Sequence, residues 1–186
     1  MAAPLRFVAI SGSLRAASTN TALLRHLTSI GAEHGAQVEI ADISGFPVFS
    51  QDIEADGLPA DVTALAESIR GADGVIFATP EYNYSIAAPL KNAIDWISRA
   101  RNDDGVQPFS GKPVAIVGSG GGMRTMRAQN HLRQVGVFLN FKAFNGEFGV
   151  NYFAEKIFDD EGNIVDEATQ KRLAEHLAGF VDFVKA

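Results

Sequence analysis

The sequence predicts an α/β fold: a three-layer sandwich in which helices cover both faces of a five-stranded parallel sheet. Short apolar runs of strand length alternate with segments whose apolar residues recur at helical spacing. This alternation is typical of parallel sheets built from crossover units. The 186 residues carry no internal repeat and are enough for one core, so we expect a single domain spanning residues 1–186 with strand order 2-1-3-4-5.

Each predicted element follows from its local pattern. The strands are predicted at residues 5–10, 37–42, 75–78, 113–117 and 142–150, although Gly146 and Gly149 weaken the fifth. Apolar helix faces are predicted within residues 23–30, 61–70, 90–97, 132–139 and 173–184. Residues 44–59 form a longer irregular connection, and Phe138 is expected on the buried face of its helix. Trp96 is expected on the exposed side of its helix.

Composition and charge exclude several function classes. The net charge is −6 without a basic run, which argues against nucleic acid and anionic membrane surfaces as partners. The absence of cysteine excludes disulfides and thiolate catalysis. Residues 1–4 do not begin a signal peptide, and no apolar run approaches membrane-spanning length, so we expect a cytoplasmic protein. The four histidines show no metal-ligand spacing and are expected at surface or boundary positions, and we predict no metal site.

The polar segment 79–85 is the most informative stretch. It follows a buried strand and precedes a helix, which places it at the carboxyl end of the sheet, where open α/β folds bind ligands. Its two tyrosines, asparagine and glutamate suit a flat aromatic ligand with polar edges.

A second loop, at residues 11–20, follows the first predicted strand and opens the first helix. Backbone N–H groups at a helix start attract an anion, and its hydroxyl groups and Arg15 add further donors. The alternative is that Ser18 or Asn20 only caps the helix. Capping accounts for one of these residues, so the loop favours a phosphate.

A third loop, the glycine-rich run at residues 118–122, follows the fourth predicted strand. It lacks the third glycine of a dinucleotide fingerprint, because Met123 stands at that position. A tight turn explains one or two of its glycines, and three in a row suggest close approach of backbone to a ligand. In the order 2-1-3-4-5, the three loops meet at one edge. FMN, with a phosphate at one end and a flat ring at the other, could span them.

These motifs together resemble the NAD(P)H-dependent FMN reductase family, which includes bacterial chromate and quinone reductases and is related to azoreductases. The resemblance rests on residues 11–15 with Ser18 and Asn20, residues 80–83 with 89–96, and the glycine-rich loop. It implies a flavodoxin-like fold, FMN as cofactor, NADPH or NADH as hydride donor, and no catalytic side chain, since FMN carries the chemistry. The implied acceptors are quinones, azo compounds, chromate or flavin.

The resemblance also implies the binding residues. The FMN phosphate would be held by Ser11, Ser13, Arg15, Ser18 and Asn20. The ring and ribityl chain would meet Pro80, Glu81, Tyr82, Asn83 and Tyr84, and the ring edge would meet Ser119, Gly120 and Gly121. The family usually has a glycine pair where this chain has Arg124 and Thr125. A homodimer or homotetramer is implied, with Trp96 either in the core or at a dimer interface.

Two other functions are compatible with the predicted topology. A non-enzymatic FMN electron carrier of the flavodoxin kind shares the predicted fold, but its phosphate loop is richer in threonine. A phospho-receiver module needs an acidic pair after the first strand and an aspartate after the third. Ser11, Gly12, Thr79 and Pro80 stand at those positions, so this function is excluded.

Overall fold

A parallel sheet forms the centre of the computed structural model, which describes residues 3–153 and 156–186. The strands are β1 Leu5–Ser11, β2 Ala36–Ala41, β3 Gly74–Ala78, β4 Glu81–Tyr82, β5 Ser85–Ile86, β6 Pro113–Gly120, β7 Lys142–Ala143 and β8 Phe148–Asn151. The helices are α1 Thr19–Ile30, α2 Gln51–Ala55, α3 Ala60–Gly71, α4 Ala88–Ile97, α5 Met126–Leu139 and α6 Glu167–Lys185. Residues 1 and 2, which belong to the segment 1–4 where no signal peptide is expected, lie outside the described residues.

The main sheet has the order β2-β1-β3-β6, and both β7 and β8 pair in parallel with β6. The predicted order 2-1-3-4-5 is therefore confirmed, with the fifth position divided into two short strands. The division lies at residues 144–147, where the Phe144 ring turns out of the sheet to pack against Phe180 and Phe183 on α6. The weak strand pattern at Gly146 marked this break.

Alternate strand residues supply two cores, one on each face of the sheet. Val8 and Ile10 of β1 face α3, α4 and α5, whereas Phe7 and Ala9 face α1 and α6. This alternation is the period-two pattern of a strand whose two faces are both covered. No helix in the described ranges combines the length and the apolar character needed to cross a membrane.

Three sequence-based expectations about packing are wrong. Trp96 lies on the buried side of α4 and not on the exposed side, so the core alternative is confirmed: the connection 44–59 folds over it, its Nε1 donates to the Pro47 carbonyl at 2.8 Å, and Phe49 meets its ring edge-on. Phe138 is 88% exposed, since α5 uses its neighbours Leu132 and Leu139 for the core.

The third concerns His176, which is buried in α6 rather than lying at the surface. Its ring packs against Phe144 and Phe148. Burial, with a smaller effect from the charge of Arg133, lowers the pKa of His176 to about 4. This imidazole is therefore neutral at pH 7.

Candidate functional site

The carboxyl ends of three adjacent strands define the candidate site. Ser11 of β1 lies beside Ala78 of β3, and Ala78 lies beside Val117 of β6, so the loops that follow these strands start at one edge. Between them is a cavity of about 360 Å³. It is lined by Ser13, Arg15, Ser18, Thr19, Asn20, Pro80, Glu81, Tyr82, Ser119, Gly120, Gly121, Tyr152 and Phe153.

Ten of the thirteen predicted site residues line this cavity, and three do not. Ser11 lies beneath the first loop, where its hydroxyl bonds to the Thr21 hydroxyl at 2.8 Å and accepts from the Ser13 N–H. Asn83 and Tyr84 form the exposed tip of a hairpin. The prediction that three distant loops converge is confirmed in geometry; their binding of a cofactor stays a prediction.

The first loop shows one of the two roles that the sequence allowed, the helix cap, and its phosphate binding stays a prediction. Ser18 is the N-cap of α1, and its hydroxyl oxygen accepts from the Thr21 N–H at 3.2 Å. Arg15 folds back on the loop and donates to the Ala17 carbonyl at 2.5 Å, which keeps its positive charge at the cavity wall. The N-terminus of α1 and this guanidinium both favour an anion at this end of the cavity.

Asn20 lines the cavity and also joins two of its walls. Its side-chain nitrogen donates to the Ser119 carbonyl at 2.9 Å, and its side-chain oxygen accepts from the Ser119 N–H at 2.9 Å. Both ends of the amide are therefore used to tie α1 to β6. Asn20 shapes the cavity by holding these two walls together.

Ser119 is the most informative polar side chain of the site. Ser119 is only 2% exposed, and its hydroxyl has no hydrogen-bond partner among the described residues. Leaving such a group unsatisfied costs about 1–3 kcal/mol, so buried hydroxyls in native proteins nearly always have a partner. Gln129 Oε1, Arg133 Nη2 and His176 Nε2 also have no partner among the described residues, and Ser119 is the one of these four residues that lines the cavity.

The segment 81–86 is a hairpin rather than an irregular loop. β4 and β5 pair through Glu81 with Ile86 and Tyr82 with Ser85, and the two-residue turn between them has φ of 49° at Asn83 and 68° at Tyr84. The Glu81 carboxylate contacts α5, where it accepts from the Arg127 side chain and backbone N–H. That carboxylate is thus committed to the protein.

The glycines of the third loop are explained in part by packing. A Cβ atom at Gly118 would lie 1.8 Å from the Thr125 hydroxyl, and one at Gly120 would lie 2.7 Å from the Thr125 methyl. Arg124 and Thr125 themselves have φ of 49° and 61°. This is the left-handed region that favours glycine, which fits the glycine pair expected there from the family resemblance.

Sequence reasoning missed three lining residues: Thr19, Tyr152 and Phe153. Tyr152 and Phe153 directly follow β8, and their ring centroids lie 4.0 Å apart. The same rule that identified the other loops, a position at the carboxyl end of a parallel strand, would have found them. The weak pattern of the fifth strand concealed its end.

Comparison with known proteins agrees with this geometry. A family model described as NADPH-dependent FMN reductase matches residues 5–155. The chain is 45% identical to an NADPH:quinone oxidoreductase of Arabidopsis thaliana, in an alignment that covers 96% of this chain and 91% of the relative. It is 44% identical to an NAD(P)H-dependent FMN reductase of Pseudomonas aeruginosa (95% and 94%) and 39% identical to a quinone reductase of Escherichia coli (100% and 98%).

Solved structures give the same fold. A flavoenzyme NAD(P)H:acceptor oxidoreductase from Paracoccus denitrificans superposes with a TM-score of 0.84 at 28% identity, over 97% of both chains. An archaeal flavodoxin superposes with a TM-score of 0.65 at 9% identity, over 98% of this chain and 100% of that one. The second likeness concerns the fold alone.

Proposed function

Because this chain belongs to the NADPH-dependent FMN reductase family, we infer that it is an FMN-dependent oxidoreductase that takes hydride from NAD(P)H. The observation that carries the assignment of the site is the cavity at the carboxyl edge, with its unpartnered Ser119 hydroxyl. We propose that this cavity holds the cofactor.

The residues present fit FMN. One end of the cavity offers the start of α1, the hydroxyls of Ser13 and Ser18 and the guanidinium of Arg15, which suit a phosphate. The other walls offer Tyr82 and Tyr152 as apolar ring surfaces and the Ser119 hydroxyl as a polar contact. A volume of about 360 Å³ lies within the range of sites for small molecules and cofactors.

FMN, when bound, would supply the redox chemistry between the nicotinamide donor and the acceptor. The protein would bind the cofactor and orient it. Arg15 and the helix start fix the phosphate end, Asn20 holds α1 and β6 at a constant separation, and Pro80 and Tyr82 shape the opposite wall. No side chain is assigned a proton-transfer role.

We propose a quinone as the acceptor class, with azo compounds, chromate and free flavin as further candidates. Three relatives that cover most of this chain are named for quinone reduction. The non-enzymatic carrier is disfavoured, since the flavodoxin match is limited to the fold, whereas reductases match at 39–45% identity.

A homodimer or homotetramer in the cytoplasm, without nucleic-acid or membrane partners, is also proposed. Val137 and Phe138, which are 75% and 88% exposed at the end of α5, support a contact between subunits. The net charge of −6 supports the absence of nucleic acid. Light scattering of the purified protein measures the subunit number, and a monomer at micromolar concentration would contradict the assembly.

An anaerobic visible spectrum tests the enzyme assignment. The FMN-loaded protein should lose its yellow absorbance on addition of NADPH or NADH and regain it when a quinone is added. The rates with the two nucleotides give the donor preference. A flavin-loaded protein that oxidises neither nucleotide would contradict the assignment and favour the electron carrier.

A further inference from the structure

Two backbone segments beside the cavity are strained. Of the five described non-glycine residues with positive φ, four lie here: Asn83 and Tyr84 in the hairpin, and Arg124 and Thr125 before α5. Tyrosine, arginine and threonine rarely adopt this region, and each such residue costs about 1–3 kcal/mol unless its surroundings hold it. Some interaction therefore has to keep both segments in place.

The Glu81–Arg127 pair joins these segments. The Arg127 Nε and Nη2 atoms both contact Glu81 Oε1 at 2.5 Å, while Oε2 accepts from the backbone N–H groups of Arg127 and Ala128 at 3.1 and 3.4 Å. The N-cap residue of α5, Thr125, makes no side-chain cap. Glu81 supplies it instead, from the hairpin, so one carboxylate satisfies the guanidinium and the first turn of α5.

Arg127 also holds the tip of the hairpin. Its guanidinium carbon lies 3.4 Å from the centre of the Tyr84 ring, which is a close cation–π contact on a residue with φ of 68°. One turn further along α5, His131 Nδ1 lies 3.0 Å from the Ser85 hydroxyl. The hairpin is therefore attached to α5 at three successive places.

The carboxylate of this attachment is shielded, whereas its partners are more open: the Glu81 side chain is 8% exposed, the Arg127 side chain 30% and Tyr84 67%. Arg127 is not among the residues that line the cavity. Glu81 and its neighbours Pro80 and Tyr82 do line it. Arg127 thus contacts the wall of the cavity from outside.

We propose that Arg127 is a positioning residue that sets the affinity for FMN through Glu81 and Tyr84, without touching the cofactor. The proposal rests on the proposed function, because it assumes that this cavity binds FMN. Without Arg127 the hairpin relaxes toward unstrained conformations that do not match the cofactor. Only a fraction of the molecules is then competent to bind, and the apparent affinity falls by that fraction.

Fluorescence titration of FMN with apoprotein tests this. Arg127→Met and Glu81→Gln should each raise the Kd for FMN about tenfold. The double variant should be no weaker than either single one, since both remove the same contact. At saturating FMN and NADPH, the kcat of Arg127→Met should stay within about twofold of wild type, because the bound cofactor restores the wall.

The matched control is another ion pair of similar geometry. Arg99 Nε and Glu54 Oε1 lie 2.7 Å apart, away from the cavity. Glu54→Gln should leave the Kd for FMN within about twofold of wild type. If Arg127→Met does not fold, Arg127→Lys, which keeps the charge but loses the fork geometry of the guanidinium, decides instead.

The outcomes separate the two proposals. Wild-type apoprotein that does not bind FMN overturns the proposed function. Wild type that binds, together with variants of unchanged Kd, overturns only the role of Arg127. If the losses of affinity multiply in the double variant, the two residues act separately, and the role of Arg127 is overturned. If kcat falls as far as the affinity, Arg127 acts on the reaction itself, and the role is likewise overturned.

Discussion

The two ends of the sheet carry cavities of almost equal volume but opposite character. The carboxyl-end cavity measures about 360 Å³, and a second, at the amino end beside Arg101, Gln107 and Phe138, measures about 350 Å³. In the amino-end cavity, Arg101 donates to the Gly105 carbonyl and Gln107 to the Leu139 carbonyl. At the carboxyl end, the Ser119 hydroxyl has no partner in the described part of the chain.

Backbone strain follows the same division. At the amino end, positive φ is carried by Gly35, Gly105, Gly111 and Asn140, and at the carboxyl end by Asn83, Tyr84, Arg124 and Thr125. Glycine and asparagine adopt positive φ readily, whereas Tyr84, Arg124 and Thr125 at the carboxyl end do so at a cost. The comparison teaches that volume does not identify a site. Strained residues beside a cavity together with an unpartnered polar side chain in its lining favour the carboxyl end, since a ligand can compensate for both; the other unpartnered atoms, on Gln129, Arg133 and His176, belong to residues that line neither cavity.

A change at Gly118 should have the largest effect. Gly118→Ala places a Cβ atom 1.8 Å from the Thr125 hydroxyl and 2.9 Å from the Thr79 carbonyl, so the free energy of unfolding should fall by about 3 kcal/mol or more. Gly105→Ala at the amino end meets no described atom within 4 Å and should cost about 1 kcal/mol for its φ of 77°. Urea denaturation of both apoproteins measures this. Equal losses would remove the contrast in packing between the ends.

The buried His176, whose Nε2 also has no partner among the described residues, is a polar defect outside both cavities. Its pKa is about 4 in the folded protein against 6.5 in the unfolded chain, so the unfolded chain binds more protons between these values. Stability should therefore fall by about 3 kcal/mol as the pH is lowered from 6.5 to 4 through this residue. His176→Leu should lose that part of the pH dependence in urea denaturation. An unchanged slope would contradict the burial of a neutral imidazole.

A substitution of Lys112, at the amino end of the sheet, tests whether the two ends are coupled. Its Nζ donates to the Ala72 carbonyl at 2.5 Å and to the Arg70 carbonyl at 3.1 Å. Lys112→Met should reduce the free energy of unfolding by about 1.5 kcal/mol, because two carbonyls lose their donor. The Kd for FMN should not change, as measured by flavin fluorescence. A weaker Kd would mean that the two ends are coupled.

The Ser119→Ala substitution should have the smallest effect. It should leave the apoprotein at least as stable as wild type but weaken the binding of FMN. Ser119→Ala removes an unpartnered hydroxyl, so the apoprotein should be as stable as wild type or slightly more so. FMN should bind about fivefold more weakly, the equivalent of about 1 kcal/mol. Thermal melting with and without FMN measures both. A destabilised apoprotein would show that the hydroxyl already has a partner.

The sequence predicts the layers, the strand order and the convergence of three loops, because each depends on local periodicity and on the chain order of the strands. It does not predict what individual polar side chains bond to. Asn20 and Glu81 stay predicted cofactor-binding residues that line the cavity, but no local pattern indicates that they also bond to Ser119 and to α5. Those partners lie 46 to 99 residues away, and only the folded chain brings them together. Trp96 was misplaced for the same reason, since the segment that covers it has no regular pattern.

A crystal structure of the FMN complex tests the central claim most directly. We predict flavin density in the carboxyl-end cavity, with the phosphate beside Ser13, Arg15 and Ser18 and a hydrogen bond to the Ser119 hydroxyl. Flavin in the amino-end cavity beside Arg101, or a carboxyl-end cavity that contains only water in crystals saturated with FMN, would contradict it.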